Sequence, residues 1–335
     1  MSRPLLALPT WEYLPYNFKK DVVQLLDFQS RLSLRSCSKL DCSIVDHSPL
    51  SIRTLHIEQE DDEGFHMRLN FSENEPTFVF DIDEKDSNFS TAISALSSLM
   101  SNPKTTCNVF DIYCEPEFSS SLNDSLMRFL DSLKKNSTLN TKVFSWNSEV
   151  PAKDTILDFW EQLNPAQLHW VRLNFVDVEL EEKKFEIIRK MVESEQWREL
   201  DKVRVYGCDV DDFFDDFLQV DNLKIRVNEF KETMLLKMIE SVNTRDPPEG
   251  SQLIVSANTP IQFETLTSEL EAFNGTHKIL RDYQTTRRFI SQTNDTRCLV
   301  IVKWEKTIEA TVCRRANLDE DFEKYHGYSV TVDII

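Results

Sequence analysis

Glycine is scarce: five residues in 335, about 1.5% where ~7% is usual. Nucleotide-cradling loops need glycine where the backbone approaches phosphate or takes a positive φ. Gly64, Gly207, Gly250, Gly275 and Gly327 stand too far apart to form a G-x-G-x-x-G or Walker sequence. Positive charge is short as well, with 38 Lys and Arg against 57 Asp and Glu and a net charge of −19. Such a balance lacks the cations that neutralise a nucleic-acid backbone, so no nucleic-acid partner is expected. No apolar run reaches the ~20 residues of a membrane span, and Met1–Ala7 is too poor in apolar residues for a signal-peptide core. The expectation is a cytoplasmic or nuclear chain without a membrane partner. Seven scattered cysteines form no C-x-x-C and no Cys/His zinc spacing, so reduced thiols and no metal are expected.

Catalytic signatures are missing too. The six histidines are far apart, with no H-E-x-x-H and no G-x-S-x-G, so neither metal nor serine-nucleophile hydrolysis has support. Acidic clusters occur at Glu58–Glu63, Asp81–Asp86, Asp209–Asp216 and Asp319–Glu323. They read as solvated loops and helix ends, because the ligand order and central glycine of a calcium loop are absent. No catalytic residue and no cofactor is expected. Trp160, Trp170 and Trp197 read as aromatic packing between strands and helices.

Charge is distributed unevenly. The first fifty residues hold six basic and five acidic side chains, a balance of +1, which leaves −20 for the remainder. A boundary near Ser48-Pro49 follows, with parts at 1–48 and 49–335 that carry different surfaces. In the first part Leu14-Pro15 precedes Phe18, Val22 and Leu25, an i, i+4, i+7 stripe of a short helix. Leu32, Leu34 and Cys37 mark a second helix, and Leu40 with Ile44 a third. Fifty residues of helix bury little alone, so their apolar side chains serve a partner as well as a core.

The run from Trp11 through Leu14-Pro15, Phe18, Val22, Leu25, Arg31-Leu32-Ser33-Leu34-Arg35 and Cys37 to Lys39 resembles an F-box. More narrowly it is similar to the nematode-expanded F-box A family, whose C-terminal part is the FTH domain. Leu14-Pro15 is taken as the motif because Leu14 stands 23 residues before Cys37, whereas Leu8 of the other Leu-Pro pair stands 29 before it. The pattern departs at Tyr16-Asn17, where an acidic residue often follows Leu-Pro. The resemblance implies an F-box core at about 10–47 that docks on a Skp-type adaptor, and through it on a cullin scaffold. It further implies that Leu14, Pro15, Phe18, Val22, Leu25, Leu32, Leu34, Cys37 and Ile44 supply the apolar docking surface, with Arg35 a polar contact at its edge.

After residue 50, β-prone runs alternate with amphipathic helical ones. Strands are predicted at Ile52–Ile57, Thr77–Ile82, Cys107–Tyr113, Thr141–Trp146, Trp170–Val176, Lys202–Tyr206, Asn222–Val227 and Gln252–Val255. Helices are predicted at Ser90–Met100, Ser119–Leu133, Thr155–Leu163, Glu182–Met191, Lys231–Val242 and Phe263–Phe273. Phe110, Phe144, Leu173, Val205, Ile225 and Ile254 mark strand centres at intervals of 20 to 34 residues. The expected fold class is therefore α/β: three N-terminal helices, then a βα-repeat domain. That domain is either a degenerate leucine-rich-repeat-like solenoid or an open parallel sheet, although no Asn/Cys turn signature recurs. Arg297–Lys306 and Thr307–Arg314 predict a terminal antiparallel hairpin. FTH likeness is expected over about 150–300, where Glu195–Leu200 and Asp221–Asn228 carry it.

Two functions remain open. One is the substrate-recognition subunit of a cullin-RING ubiquitin ligase, which has no catalytic site of its own and whose acidic domain selects an unidentified protein target, with basic partners favoured by long-range attraction. The other is a non-degradative interaction scaffold or inhibitor that keeps the F-box fold.

Overall fold

Strand residues point alternately to opposite faces, so each β-run of this chain has one side committed to a core. The computed structural model describes residues 10–61, 64–71, 78–82, 102–114, 138–148, 155–175, 181–262, 282–283, 286–292 and 297–314, with Ser97, Met100 and Asp131. The helices predicted at 90–100, 119–133 and 263–273 lie outside these residues or almost wholly so. The chain divides into two compact units, Met1–Leu168 and His169–Ile335.

The first unit opens with a 3₁₀ turn (Trp11–Tyr13) and three short helices, α1 (Tyr16–Gln24), α2 (Phe28–Arg35) and α3 (Lys39–Asp46). Strands β1 (Ser51–Asp61), β2 (Gly64–Asn70), β3 (Phe78–Ile82), β4 (Thr106–Cys114) and β5 (Thr141–Ser148) follow, then α4 (Thr155–Gln162). Their order is β5-β4-β1-β2-β3, parallel across β5, β4 and β1 and antiparallel across β1, β2 and β3. Leu55 pairs with Phe110 and Phe110 with Phe144. Onto this row α4 sets Phe159, edge-on to Phe110 at 5.5 Å, and Trp160, 6.3 Å from Phe144. Such ring pairs add ~0.5–1.5 kcal/mol each beyond their buried area.

Three asparagines secure the loops that enter these strands. Asn102 donates to the carbonyls of Asp46 and Ser48, Asn140 to those of Pro103 and Thr105, and Asn164 to Asn140 Oδ1 at 2.7 Å. A recurrent turn asparagine therefore exists, at irregular offsets from its strand.

The second unit holds β6 (Trp170–Phe175), α5 (Glu181–Val192), α6 (Glu195–Arg198), β7 (Lys202–Asp209), α7 (Phe214–Phe217), β8 (Asn222–Val227), α8 (Glu232–Arg245) and β9 (Gln252–Ala257). The antiparallel strands β10 (Asp282–Tyr283), β11 (Thr286–Gln292), β12 (Arg297–Lys303) and β13 (Thr307–Arg314) complete it. Strand order is β6-β7-β8-β9-β13-β12-β11-β10. The expected C-terminal hairpin is β12–β13, and β13 joins the parallel strands by pairing with β9. Consecutive parallel strands are neighbours in both units, with none of the order reversal of a doubly wound sheet. Burial alternates along β6, β8 and β9, with Val171, Leu173, Leu223, Ile225, Leu253 and Val255 inward. Ile254, which marks this strand's centre in the sequence, lies on the half-exposed face, and its neighbour Val255 points inward. Trp160 and Trp197 are buried as expected, whereas Trp170 sits on the half-exposed face.

β7 breaks the alternation at Tyr206-Gly207, two successive residues on the outer side, before Cys208 turns inward. Gly207 makes this bulge with φ +72°, and a Cβ there would stand 1.7 Å from the Phe175 carbonyl oxygen. The Gly207 carbonyl accepts from the buried ammonium of Lys184 at 3.0 Å. No helix among the described residues is long and apolar enough to cross a membrane.

Two predictions follow from this geometry. Gly207→Ala loses at least ~2 kcal/mol of stability, because both the backbone conformation and the contact with Phe175 must change; urea denaturation reads it. The second concerns His56, which bonds Asp111 at 2.7 Å and approaches Glu58, itself paired with Arg68. Burial alone would lower the pKa of His56, but the hydrogen bond to Asp111 and the charges of Asp111 and Glu58 outweigh it and raise the pKa. The stabilisation is thus complete below the unfolded value of about 6.5 and is lost as pH rises through the folded one. The wild-type urea midpoint therefore falls as pH rises from about 6.5 through the raised folded-state value, and His56→Gln removes that part of the fall.

Candidate functional site

Two of the three N-terminal helices begin at side-chain caps, and the first begins at Pro15 without one. Asp27 accepts from Ser30 N at 2.7 Å to start α2, and Ser38 accepts from Asp41 N at 3.1 Å to start α3. Asp41 also accepts from Trp11 Nε1 at 2.8 Å and from Ser38 Oγ at 2.7 Å, which holds its carboxyl pKa below the usual range. One carboxylate thus ties the 3₁₀ turn to the third helix.

The core between the helices is small: Val23, Ile44 and Val45, flanked by Trp11, Leu26 and Leu34. On α1 the inward residues are Lys19 and Val23, four apart. Lys19 fills a core position with its aliphatic stem while its ammonium reaches the Glu12 carbonyl at 3.3 Å and lies 5.5 Å over the Trp11 ring. The stripe identified from spacing therefore faces solvent: Phe18 is 53% exposed and Leu25 86%, with Val22 half-buried between them. Tyr13, Tyr16 and Leu40 are exposed too, so five of the six exposed large hydrophobics among the described residues fall within 13–40.

The remaining expected docking residues divide. Pro15 and Cys37 are exposed, and Leu14 and Leu32 are half-buried. Leu34 packs on the helical core, and Ile44 is fully buried within it. Ile44 thus holds the helices together and offers no surface, a correction to its expected place at a docking interface. Arg35 is engaged at home, with Nε 2.7 Å and a terminal nitrogen 3.2 Å from the Asp46 carboxylate, which raises its pKa.

Spacing gave no notice of Arg31. Its buried guanidinium donates to the carbonyls of Gln24, Leu26 and Pro49, closing the α1–α2 corner onto the segment that enters β1. Phe28 stacks on Phe71 at 4.6 Å, a second tie between the helices and the strands of this unit. An arginine at a helix position reads as surface in sequence, and three carbonyl acceptors from separate segments appear only in the fold.

The acidic run at 209–216 is largely used internally. Asp209 accepts from Arg226 and Asn258, Asp211 from the backbone of Asn228 and Glu229, and Asp215 pairs with Lys237. Asp209, Asp211 and Asp212 line an open cleft with Phe185, Asn228 and Lys231. Among the described residues no group of three or more His, Cys, Asp or Glu side chains is arranged to hold a metal ion.

Residues 123–266 match the FTH domain. No curated protein and no solved structure matches the chain. The FTH match takes in β5 through β9 and α4 through α8. It begins before the expected 150–300 and ends before the antiparallel strands. The N-terminal helices and β1–β4 lie outside it.

Arg31→Met should cost about 2–4 kcal/mol in urea denaturation followed by far-ultraviolet circular dichroism, because a buried guanidinium and its three carbonyl bonds are lost. Arg35→Met, at a partly exposed ion pair, should cost less than about 1 kcal/mol.

Proposed function

We propose that the chain is an F-box-type substrate receptor of a cullin-RING ubiquitin ligase, without chemistry of its own. In this reading the helices of residues 10–47 dock on a Skp-type adaptor and the FTH-containing remainder holds a protein target, in the cytoplasm or nucleus. The carrying observation is the outward stripe along α1, where Phe18 and Leu25 stand exposed while Lys19 and Val23 close the core. Covering Phe18 and Leu25 is worth about 1.5–3 kcal/mol each, the scale of interface anchors. The FTH match supports the reading, because that domain is the C-terminal part of the F-box family that the N-terminal residues resemble.

The adaptor should co-purify with the wild-type chain. Phe18→Asp/Leu25→Asp and Leu14→Ala/Pro15→Ala should each weaken capture at least about tenfold, with the urea midpoint of the first pair nearly unchanged because its side chains are already solvated. Undiminished recovery with both pairs would sink the assignment. A captured target whose abundance does not respond to proteasome inhibition would leave the docking but remove the degradative role.

A further inference from the structure

The half-exposed face of the parallel strands in the second unit opposes the chain's net charge. With Val171, Val203 and Leu223 inward, the residues beside them face outward. Register places Arg172, Arg204 and Lys224 in one row across β6, β7 and β8, and Trp170 next to Lys202 in the row before it. Adjacent strands lie about 4.8 Å apart, so three cations occupy a width of about 10 Å.

Two aromatic rings sit among them. Lys202 Nζ lies 4.0 Å and the Arg204 guanidinium 5.4 Å from the Trp170 ring centre. Arg172 at 6.0 Å and Lys224 at 5.5 Å share the ring of Tyr206, which stands beside the Gly207 bulge. None of these four cations has a carboxylate within ion-pair distance among the described residues, whereas Arg226, farther along β8, pairs with Asp209 at 2.6 Å. Trp170 Nε1 and Arg172 Nε are covered and have no acceptor there. Burial and then the charge of Arg204 lower the pKa of Lys202. Like charges directly opposite in a ladder destabilise it, and cation–π contacts of ~0.5–1 kcal/mol offset only part of that. The cluster has positive charge in excess, with Asn222 and Asn174 as its neutral neighbours across the strands.

We propose that the face formed by Trp170, Arg172, Lys202, Arg204, Tyr206 and Lys224 binds an acidic segment of a partner protein. Side chains on one side of an extended peptide recur every ~6.8 Å, so alternate carboxylates can meet cations on successive strands while intervening contacts fall on the two rings. Spread over three strands, the charges suit several carboxylates better than one phosphate group. The patch is also short, so a long polyanion would run past it into close contact with the remaining surface of a chain of −19 and be repelled there, which favours a peptide over nucleic acid. The site gives the target-binding half of the proposed function a chemistry and is independent of adaptor docking.

Fluorescence anisotropy on the full chain tests it with a labelled peptide carrying Glu at every second position and Tyr or Ser between. Its Gln twin, a phosphoserine version with Gln in place of Glu, and a single-stranded oligonucleotide are the other probes. The Glu peptide should bind tightest and weaken with added salt. Arg204→Gln/Lys224→Gln should weaken it about tenfold or more without lowering the urea midpoint or adaptor capture. Failure of the Glu peptide to bind, equal affinity for the Gln twin, tighter binding of the phosphopeptide or oligonucleotide, or indifference to the double substitution would each overturn the proposal. Adaptor capture in the same variant separates this failure from failure of the docking assignment.

Discussion

Every parallel strand of the second unit can send only alternate residues to its core, and that limit organises what the rest of the unit can do. Val171, Val203, Leu223 and Leu253 stand in register, so a shift of one residue in any strand would bring charge into the core of the fold. With the inner face fixed, residues on the other face are free of core duty. There the chain sets cations around the rings of Trp170 and Tyr206, and Tyr206 keeps the alternation of Lys202 and Arg204 up to the bulge at Gly207.

Net charge is consequently a poor guide to any single surface here. The carboxylates of 209–216 serve as loop acceptors and ion-pair partners, and Asp27, Asp41 and Asp46 do similar work among the N-terminal helices. The half-exposed sheet face is locally cationic in a chain of −19. The reading that an acidic domain attracts basic partners treats charge as evenly spread, and this face does not follow it.

Secondary structure was legible wherever apolar period was strong. The runs at 170–176, 202–206 and 222–227 became β6, β7 and β8, and three short N-terminal helices formed where their spacing put them. β2, β10 and β11 went unread; β11 carries paired arginines and polar residues within its run. Phase was harder than type. Phe18, Val22 and Leu25 are a true helical stripe, yet the core lies on the neighbouring stripe that begins with Lys19, since a lysine stem can replace an apolar side chain. Ile254 and Val255 are equally apolar, and only pairing with β8 decides between them. Asn102, Asn140 and Asn164 precede their strands by unequal lengths, so a search at fixed offset passes over them. For the N-terminal site, spacing identified Phe18 and Leu25 but could not tell Ile44, which packs inside, from the residues that face out.

The bonds of Arg31 to Gln24, Leu26 and Pro49, the Asn102 contacts to Asp46 and Ser48, and the Phe28–Phe71 stack all cross the seam between helices and strands. Cutting the chain at residue 48 would strand a guanidinium, uncover a phenyl ring and unfasten the third helix. The helical segment is therefore no portable cassette. Grafting it onto another protein would mean carrying along the first strands as well, and a hybrid that joined only the helices would inherit the sequence of the module without its shape.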